Sequence, residues 1–437
     1  MTQDTGVPAE PRRFRTDVLM MFSSKVTLLV LNLAGSIIAA RALGPTDRGT
    51  FAVAFSLTAL LIQLGSFGLT TANPYFAARD PRSRSAIVTN SLWLAAALGV
   101  LLIGIGVGLK ALAPVTVEGV SWEELLVALV GIPAALVTLF LHSVLLGEGR
   151  TVAYNAYEVL LGALSVTALA VGFFVFDMGV LGALLVMLGG HFAGAITWFV
   201  LLRRHAQRLA RPDPRLAWEM LKYGGRIYLA ALIYYLIVRL DLLLVNSYQG
   251  ATEAGLYSVT VALGDALYLI PLAVAVNLFP RIARGGSHQM TAEVFRSMLV
   301  IYGAACLVSV PLAEPAVRLL YGSDFEGAVE LWYWLVPGIF CLGMLNILSH
   351  HFAGKGFPIE AGLIFLPGLV LNLGINLVFL GEGTYVAALA STIAYALLLF
   401  LHMRLFVREA GRWSSFRPRA REVVAFVRQA LGRAPSG

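Results

Sequence analysis

The 437-residue chain is predicted to be an all-α polytopic membrane protein with about twelve transmembrane helices in two six-helix bundles. Three observations predict this: an apolar composition, a recurrent apolar run length, and the placement of positive charge. Hydrophobic residues make up 58% and charged residues 13% of the chain, against roughly 25% charged in a soluble domain. Apolar runs of ~20 residues, the length that crosses a ~30 Å hydrocarbon layer, recur from end to end. Lys and Arg then fall almost wholly into alternate loops.

The first span, 18–40, follows the basic residues Arg12, Arg13 and Arg15 and carries Lys25 and Asn32. A tight turn, "GPTDRG", leads into the second span, 50–78, which holds Pro74 near its end. Spans at 86–113, 124–146, 152–176 and 178–202 complete a first set of six. The basic loop "RRHAQRLARPDPRLAWEMLKYGGR" separates them from a seventh span at 226–248. A second turn, "GATEAG", opens the eighth, 255–280, and spans at 297–320, 329–352, 358–380 and 384–406 follow.

Basic residues concentrate in cytoplasmic loops. With the N-terminus inside, all but six of the 32 Lys and Arg fall in cytoplasmic segments, including the tail from Arg404 to Arg433. Arg41, Arg48, Lys110 and Arg318 lie outside, and Lys25 and Arg239 lie within helices. Both termini are therefore expected in the cytoplasm. The net charge of +7 then reflects topology and contact with anionic membrane lipid; no nucleic-acid partner is expected, because the basic residues are spread over short loops and a tail. "MTQDTGVPAEPRRFR" starts like a signal peptide, but the following apolar stretch is too long for an h-region, so it is expected to be retained. Cys306 and Cys341 sit inside spans, where apolar packing is expected and a disulfide is not.

A long-period repeat organises these spans. "ALGPTDRGTFAVAFSLTALLIQL" aligns without a gap on "YQGATEAGLYSVTVALGDALYLI": Gly44 meets Gly250, Thr46 meets Thr252, Gly49 meets Gly255 and Phe51 meets Tyr257. The same spacing matches Pro74 with Pro280, and the "GEG" at Gly147 returns as "GKG" at Gly354. Two halves, 1–205 and 206–437, follow. Six spans each give both halves one orientation, so they are parallel repeats, a plan used by transporters whose two bundles rock around a midplane site. Glycine supplies the backbone freedom of the two turns, and Thr, Asp or Glu caps the next helix. Pro74 and Pro280 each either hinge a gate or simply end a helix.

The stretches "RALGPTDRGTFAVAFSLTALLIQLGSFGLTTANPYFAAR" and "RLDLLLVNSYQGATEAGLYSVTVAL" resemble the multidrug, oligosaccharidyl-lipid and polysaccharide exporter superfamily, specifically its Wzx-type flippases. The resemblance extends across nearly the whole chain through the twelve-helix plan. It implies a V-shaped pair of bundles around a central cavity. It also implies alternating access that moves a polyprenyl-pyrophosphate-linked sugar from the inner to the outer leaflet, coupled to an ion such as Na⁺ or H⁺ or to membrane potential. The lipid II flippases of that superfamily usually carry two further helices, for which this chain has no room.

Ionisable groups inside a span cost at least ~2.5–3.5 kcal/mol each and mark a partner or a wet cavity. Lys25, about two turns into the first span, either meets a pyrophosphate or snorkels to the headgroups. Arg239 and Asp241 stand about 200° apart around one helix and do not pair with each other. Arg239 is a candidate phosphate or sugar ligand, and Asp241 a candidate structural or coupling-ion residue. Asp265, read as the other acid within a span, either takes a cation or proton or pairs with Arg239. Asn32, Gln63, Asn73, Asn277, Asn346, Asn372 and Asn376 either bind sugar hydroxyls or join helices at ~0.6 kcal/mol per contact. Tyr228, Tyr234 and Tyr235 either stack on sugars or form an interfacial belt. His350 and His351 have no Cys or carboxylate at ligand spacing, so no metal site is expected.

The chain has no GxxxxGK[ST] loop with which to hydrolyse ATP, no nucleophile with its base, and only short outer loops. An enzyme is therefore not expected. The leading expectation is a bacterial inner-membrane flippase for an O-antigen, capsule or exopolysaccharide repeat unit. Its expected partners are the glycan polymerase and glycosyltransferases of the same pathway. The alternatives are a cation-coupled small-molecule exporter of the MATE type and, less favoured, a membrane enzyme of surface glycans.

Overall fold

The computed structural model describes residues 11–205, 209–356, 362–410 and 412–417. The start of the expected eleventh span, 358–361, and the basic tail beyond Arg417 lie outside the described residues. Within them the chain is helical, with no strand. The helices are α1 (Pro11–Ser66), α2 (Leu69–Arg79), α3 (Arg84–Leu112), α4 (Trp122–Val130), α5 (Ile132–Gly147) and α6 (Thr151–Phe176). They continue as α7 (Val180–His205), α8 (Pro214–Ala283), α9 (His288–Leu320), α10 (Gly327–Gly354), α11 (Phe365–Phe379) and α12 (Tyr385–Ala410).

Ten helices among the described residues are long and apolar enough to cross a membrane. Two of them, Ser23–Ser66 and Tyr228–Ala283, have 44 and 56 residues, about twice what a bilayer needs. Each is broken by a glycine with left-handed φ: Gly44 at φ 72°, ψ 177° and Gly250 at φ 84°, ψ 177°. The matching angles at matched repeat positions show why both turns use glycine, since a Cβ is disfavoured there. Past Gly250 the chain doubles back. Three side-chain pairs step away from the turn, Asp241 with Tyr257, Arg239 with Asp265 at 2.9 Å and Tyr234 with Tyr268 at 3.0 Å. Past Gly44, Arg48 reaches back to the Ser36 hydroxyl at 3.2 Å. Ten long helices thus make twelve crossings.

Helix boundaries differ from the apolar runs for physical reasons. α8 starts at Pro214, capped by the Asp213 carboxylate, and α9 at His288, capped by Ser287. Both begin well before their expected spans, because hydropathy marks the hydrocarbon layer whereas a cap marks the helix end. The expected fourth span is two pieces, α4 with a Ser121–Glu124 capping box and α5 from Ile132, because Pro133 cannot donate into the preceding turn. The expected second span breaks at Phe67 (φ 43°) and Gly68 (φ 71°). Pro74 lies inside α2 and Pro280 inside α8, so neither ends its helix.

Helices α1–α7 pack on one another, as do α8–α12, and α1 and α8 form the main contact between the two sets. At the end bearing Gly44 and Gly250, the turn end, the repeats interlock. A Cβ on Gly49 would lie 1.7 Å from the Ala251 carbonyl oxygen, and one on Gly255 2.0 Å from that of Pro45. The hydroxyls of Thr46 and Thr252, 206 residues apart, bond at 2.8 Å. Arg41 donates through Nε to the Leu320 carbonyl at 2.7 Å and through Nη2 to that of Leu319, capping the end of α9 from the other half. Toward the opposite, basic end the Tyr228 hydroxyl meets the carbonyls of Gln63 and Leu64 at 2.9 and 2.7 Å, beside the Phe67–Gly68 break. Tyr75 stacks on Tyr223 at 4.3 Å.

The "GEG" and "GKG" glycines are also explained. Gly147 approaches the Pro74 carbonyl so closely that a Cβ would sit 2.5 Å from it, and Gly354 packs in the same way against Ile282 and the Phe279 carbonyl. Exposed apolar side chains such as Trp93, Val100, Phe174, Leu307 and Val370 face outward, as a lipid-facing surface requires.

Candidate functional site

Five ionisable residues of the spans are held by side-chain contacts: Arg239, Asp241 and Asp265 in the second half, Lys25 and Glu158 in the first. The hairpin of α8 positions three of them. Arg239 stands eleven residues before Gly250 and Asp265 fifteen after it, about 16 and 22 Å along the helix axis from the turn and so near mid-membrane depth. Their side chains meet at 2.9 Å and remain 34% and 42% exposed. They line a cavity of about 180 Å³ with Tyr234, Tyr235, Tyr257, Tyr268 and Tyr395, closed on one side by Leu335, Ile339 and Leu342 of α10. The pair puts a guanidinium with free donors next to aromatic faces, a surface suited to phosphate and sugar. Asp265 is thus the ion-pair partner of Arg239.

Asp241 borders the same cavity from its buried side and does not pair with Arg239. It is 2% exposed, and its carboxylate accepts bonds from the Tyr257 hydroxyl, the Ser391 hydroxyl at 2.9 Å and the Leu242 N–H at 3.1 Å. Asn372 donates to Ser391 at 3.2 Å, and Asn376 to the Asn372 carbonyl at 2.9 Å. This chain of hydrogen bonds joins α8, α12 and α11. The Asn376 Oδ1 is buried with no hydrogen-bond partner among the described residues. The carboxylate, hydroxyl and amide oxygens of this cluster are ligand types that a hard cation takes.

In the first half Lys25 binds Glu158 of α6 at 2.8 Å, with side chains 51% and 22% exposed. Glu158 corrects the sequence reading, in which Asp265 was the other acid within a span. It lies inside the expected 152–176 run, seven residues from the start of α6, and its charge alone was the available signal. Mid-helix cations are thus neutralised in both halves, each by an acid of its own half. Asn32 is exposed and Tyr235 half-buried. Lys25 and Asn32 do not line the cavity that holds Arg239 and Tyr235.

The remaining amides divide between packing and the cavity margin. Asn73 is buried and donates to Ser91 and to the Phe140 carbonyl. Asn277 is exposed and bonds its own helix at Ala273. Asn346 donates to the cavity tyrosine Tyr268. Tyr228 serves the contact between halves, and Tyr234 the cavity. Cys306 and Cys341 are free thiols.

A family profile described as "Polysaccharide biosynthesis protein" matches residues 14–285. An uncharacterised membrane protein of Methanocaldococcus jannaschii is 24% identical over 189 residues, 42% of this chain and 44% of that protein. The chain thus spans less than half the length of the curated relative it matches. Among solved structures, an inward-facing multidrug resistance MATE family transporter of the MOP superfamily matches with TM-score 0.72 at 15% identity, over 88% of this chain and 94% of that one. The lipid II flippase MurJ, inward closed, gives TM-score 0.72 at 12% identity over 94% and 90%. A MOP superfamily transporter from Pyrococcus furiosus gives 0.65 at 16% identity over 92% and 95%. At these identities the likeness is one of fold.

Proposed function

Because the chain belongs to the polysaccharide biosynthesis protein family and has the fold of MOP superfamily transporters, we propose that it is a flippase. Its cargo in this reading is a polyprenyl-pyrophosphate-linked oligosaccharide, carried from the inner to the outer leaflet of a bacterial plasma membrane with both termini in the cytoplasm. The carrying observation is Arg239, held by Asp265 at 2.9 Å in a tyrosine-walled cavity. A pyrophosphate entering there takes guanidinium donors that Asp265 leaves free, and the tyrosine faces suit sugar rings. Lys25 supplies a second cation nearer the basic end, where an inner-leaflet headgroup enters, and the sealed turn end fits loading from that side. Pro74 and Pro280 flank the cross-half contacts there and act as hinges in this scheme. The glycosyltransferases that build the cargo and the polymerase that consumes it are the partners.

Asp241, with Ser391, Asn372 and Asn376, is the proposed site of ion coupling, taking Na⁺ or H⁺. What supports this reading is a buried carboxylate that accepts three hydrogen bonds while the nearby Arg239 is engaged by Asp265, an arrangement suited to a proton or a small cation.

The test is deletion of the gene with mass spectrometry of lipid-linked oligosaccharides and assay of surface polysaccharide. Accumulation of a polyprenyl-linked unit with loss of surface glycan is the expected outcome and identifies the cargo. Unchanged pools in a cell without a redundant flippase would overturn the proposal in favour of a cation-coupled small-molecule exporter.

A further inference from the structure

Three helix ends meet at the basic end of the second half. α9 begins with His288, α10 carries His351 in its last turn, and α12 carries Glu409 one residue before its end. One ring nitrogen of each histidine and a carboxylate oxygen of Glu409 lie within 4.8 Å of one another. The two imidazoles stand 5.0 Å apart, and both pack against the ring of Phe406. No local spacing announces this cluster, because its members are separated by tens of residues or more.

We propose that His288, His351 and Glu409 form a binding site for a divalent transition-metal ion of the zinc class. His351 is the key member. It is fully buried, and the Thr291 hydroxyl engages its Nδ1 at 2.7 Å. Its Nε2 has no hydrogen-bond partner among the described residues. A histidine fixed through one nitrogen with the other left bare is the arrangement of a metal ligand held by an outer partner. Two imidazoles and one carboxylate suit Zn²⁺, which takes three protein ligands and a solvent molecule in a tetrahedron with bonds of about 2.0–2.2 Å. Closing the cluster to those distances needs inward movements of under about 1 Å per ligand. His288 and Glu409 lie at the partly exposed side of the cluster, where movement is easy.

Lys355 is the competitor. Its ammonium touches the His288 Nε2 and lies 3.5 Å from Glu409, so a positive charge already occupies this place. The metal takes the seat by displacing a flexible, partly exposed side chain. Once bound, it ties the ends of α9, α10 and α12 together. Thr291 acts as a positioning residue for His351.

The experiment uses the full chain purified in detergent without a histidine tag, stripped with chelator, and titrated with Co²⁺ and Zn²⁺. The expected result is one Zn²⁺ per chain and the visible absorption of tetrahedral Co²⁺. Lys355→Met is expected to bind at least tenfold more tightly, and His288→Ala and Glu409→Gln at least tenfold more weakly. These two changes lie at the exposed side of the cluster, and gel filtration checks their folding. Absence of the tetrahedral spectrum in both wild type and Lys355→Met would overturn the proposal. Binding that His288→Ala and Glu409→Gln leave unchanged would do the same. The binding readout does not depend on transport, so it stands apart from the flippase reading.

Discussion

Arg239 and Asp265 are partly exposed, so their pair contributes little to stability, ~0–1 kcal/mol. Its value lies in what it presents to an anion. Arg239→Ala is expected to keep membrane insertion and to cut flipping in proteoliposomes at least tenfold, since a charge-assisted bond is worth ~1.5–3 kcal/mol. Asp265→Asn keeps the shape and releases the guanidinium, so cargo binding is expected to hold or tighten. A loss equal to that of Arg239→Ala would mean that the pair is structural. Lys25→Ala combined with Arg239→Ala is expected to abolish flipping, and near-normal transport by this variant would remove the cationic-site reading. Asp241→Asn behaves differently because its carboxylate is buried under three donors. Thermal unfolding should show a loss of about 1–3 kcal/mol, and the response of transport to Na⁺ or pH should disappear.

At the scale of helices, close approach sets the requirements. Gly49 and Gly255 leave no room for any side chain, with neighbouring carbonyls at 1.7 and 2.0 Å from an added Cβ. Gly49→Leu or Gly255→Leu must therefore force α1 and α8 apart at the turn end. Accessibility labelling at Thr46 should rise and transport should fall, while Gly104→Leu, where nothing lies within 4 Å of an added Cβ, should change neither. Gly44 and Gly250 are demanding for another reason: positive φ with extended ψ is essentially confined to glycine and costs an L-residue about 1–3 kcal/mol, so alanine at either should lower thermal stability by that amount. The α2 break at Phe67–Gly68 lies against Gly224 and Tyr228. Any bend at Pro74 would act on a helix already separated from α1 by this joint.

The whole molecule must open its turn end if it exports. The bond between Thr46 and Thr252 at 2.8 Å marks where that opening begins. Cysteines at both positions would put two thiols where the hydroxyls now meet at 2.8 Å, and Cys306 and Cys341 lie elsewhere inside α9 and α10. Oxidation of the Thr46→Cys, Thr252→Cys chain is expected to stop transport, and reductant to restore it. Full transport by the oxidised form, with the cross-link confirmed by mass spectrometry, would mean that this end does not open.

The sequence by itself determined the membrane class, the twelve crossings and the repeat, because apolar length, charge and glycine spacing are properties of the chain read in order. Gly44 with Gly250, and Gly147 with Gly354, were legible as matches before their backbone roles were known. Arg239, Asp241 and Lys25 were legible too, since charge inside an apolar run is conspicuous in any order of folding. Only the tertiary structure decided their partners. Asp265 rather than Asp241 binds Arg239, Glu158 binds Lys25, and Ser391 with Asn372 reaches Asp241. The meeting of His288, His351 and Glu409 was decided in the same way. The physical reason is that composition and local period fix which segments become membrane helices. Which faces of those helices touch depends on packing between segments far apart in the chain, and periodicity within a segment does not encode it.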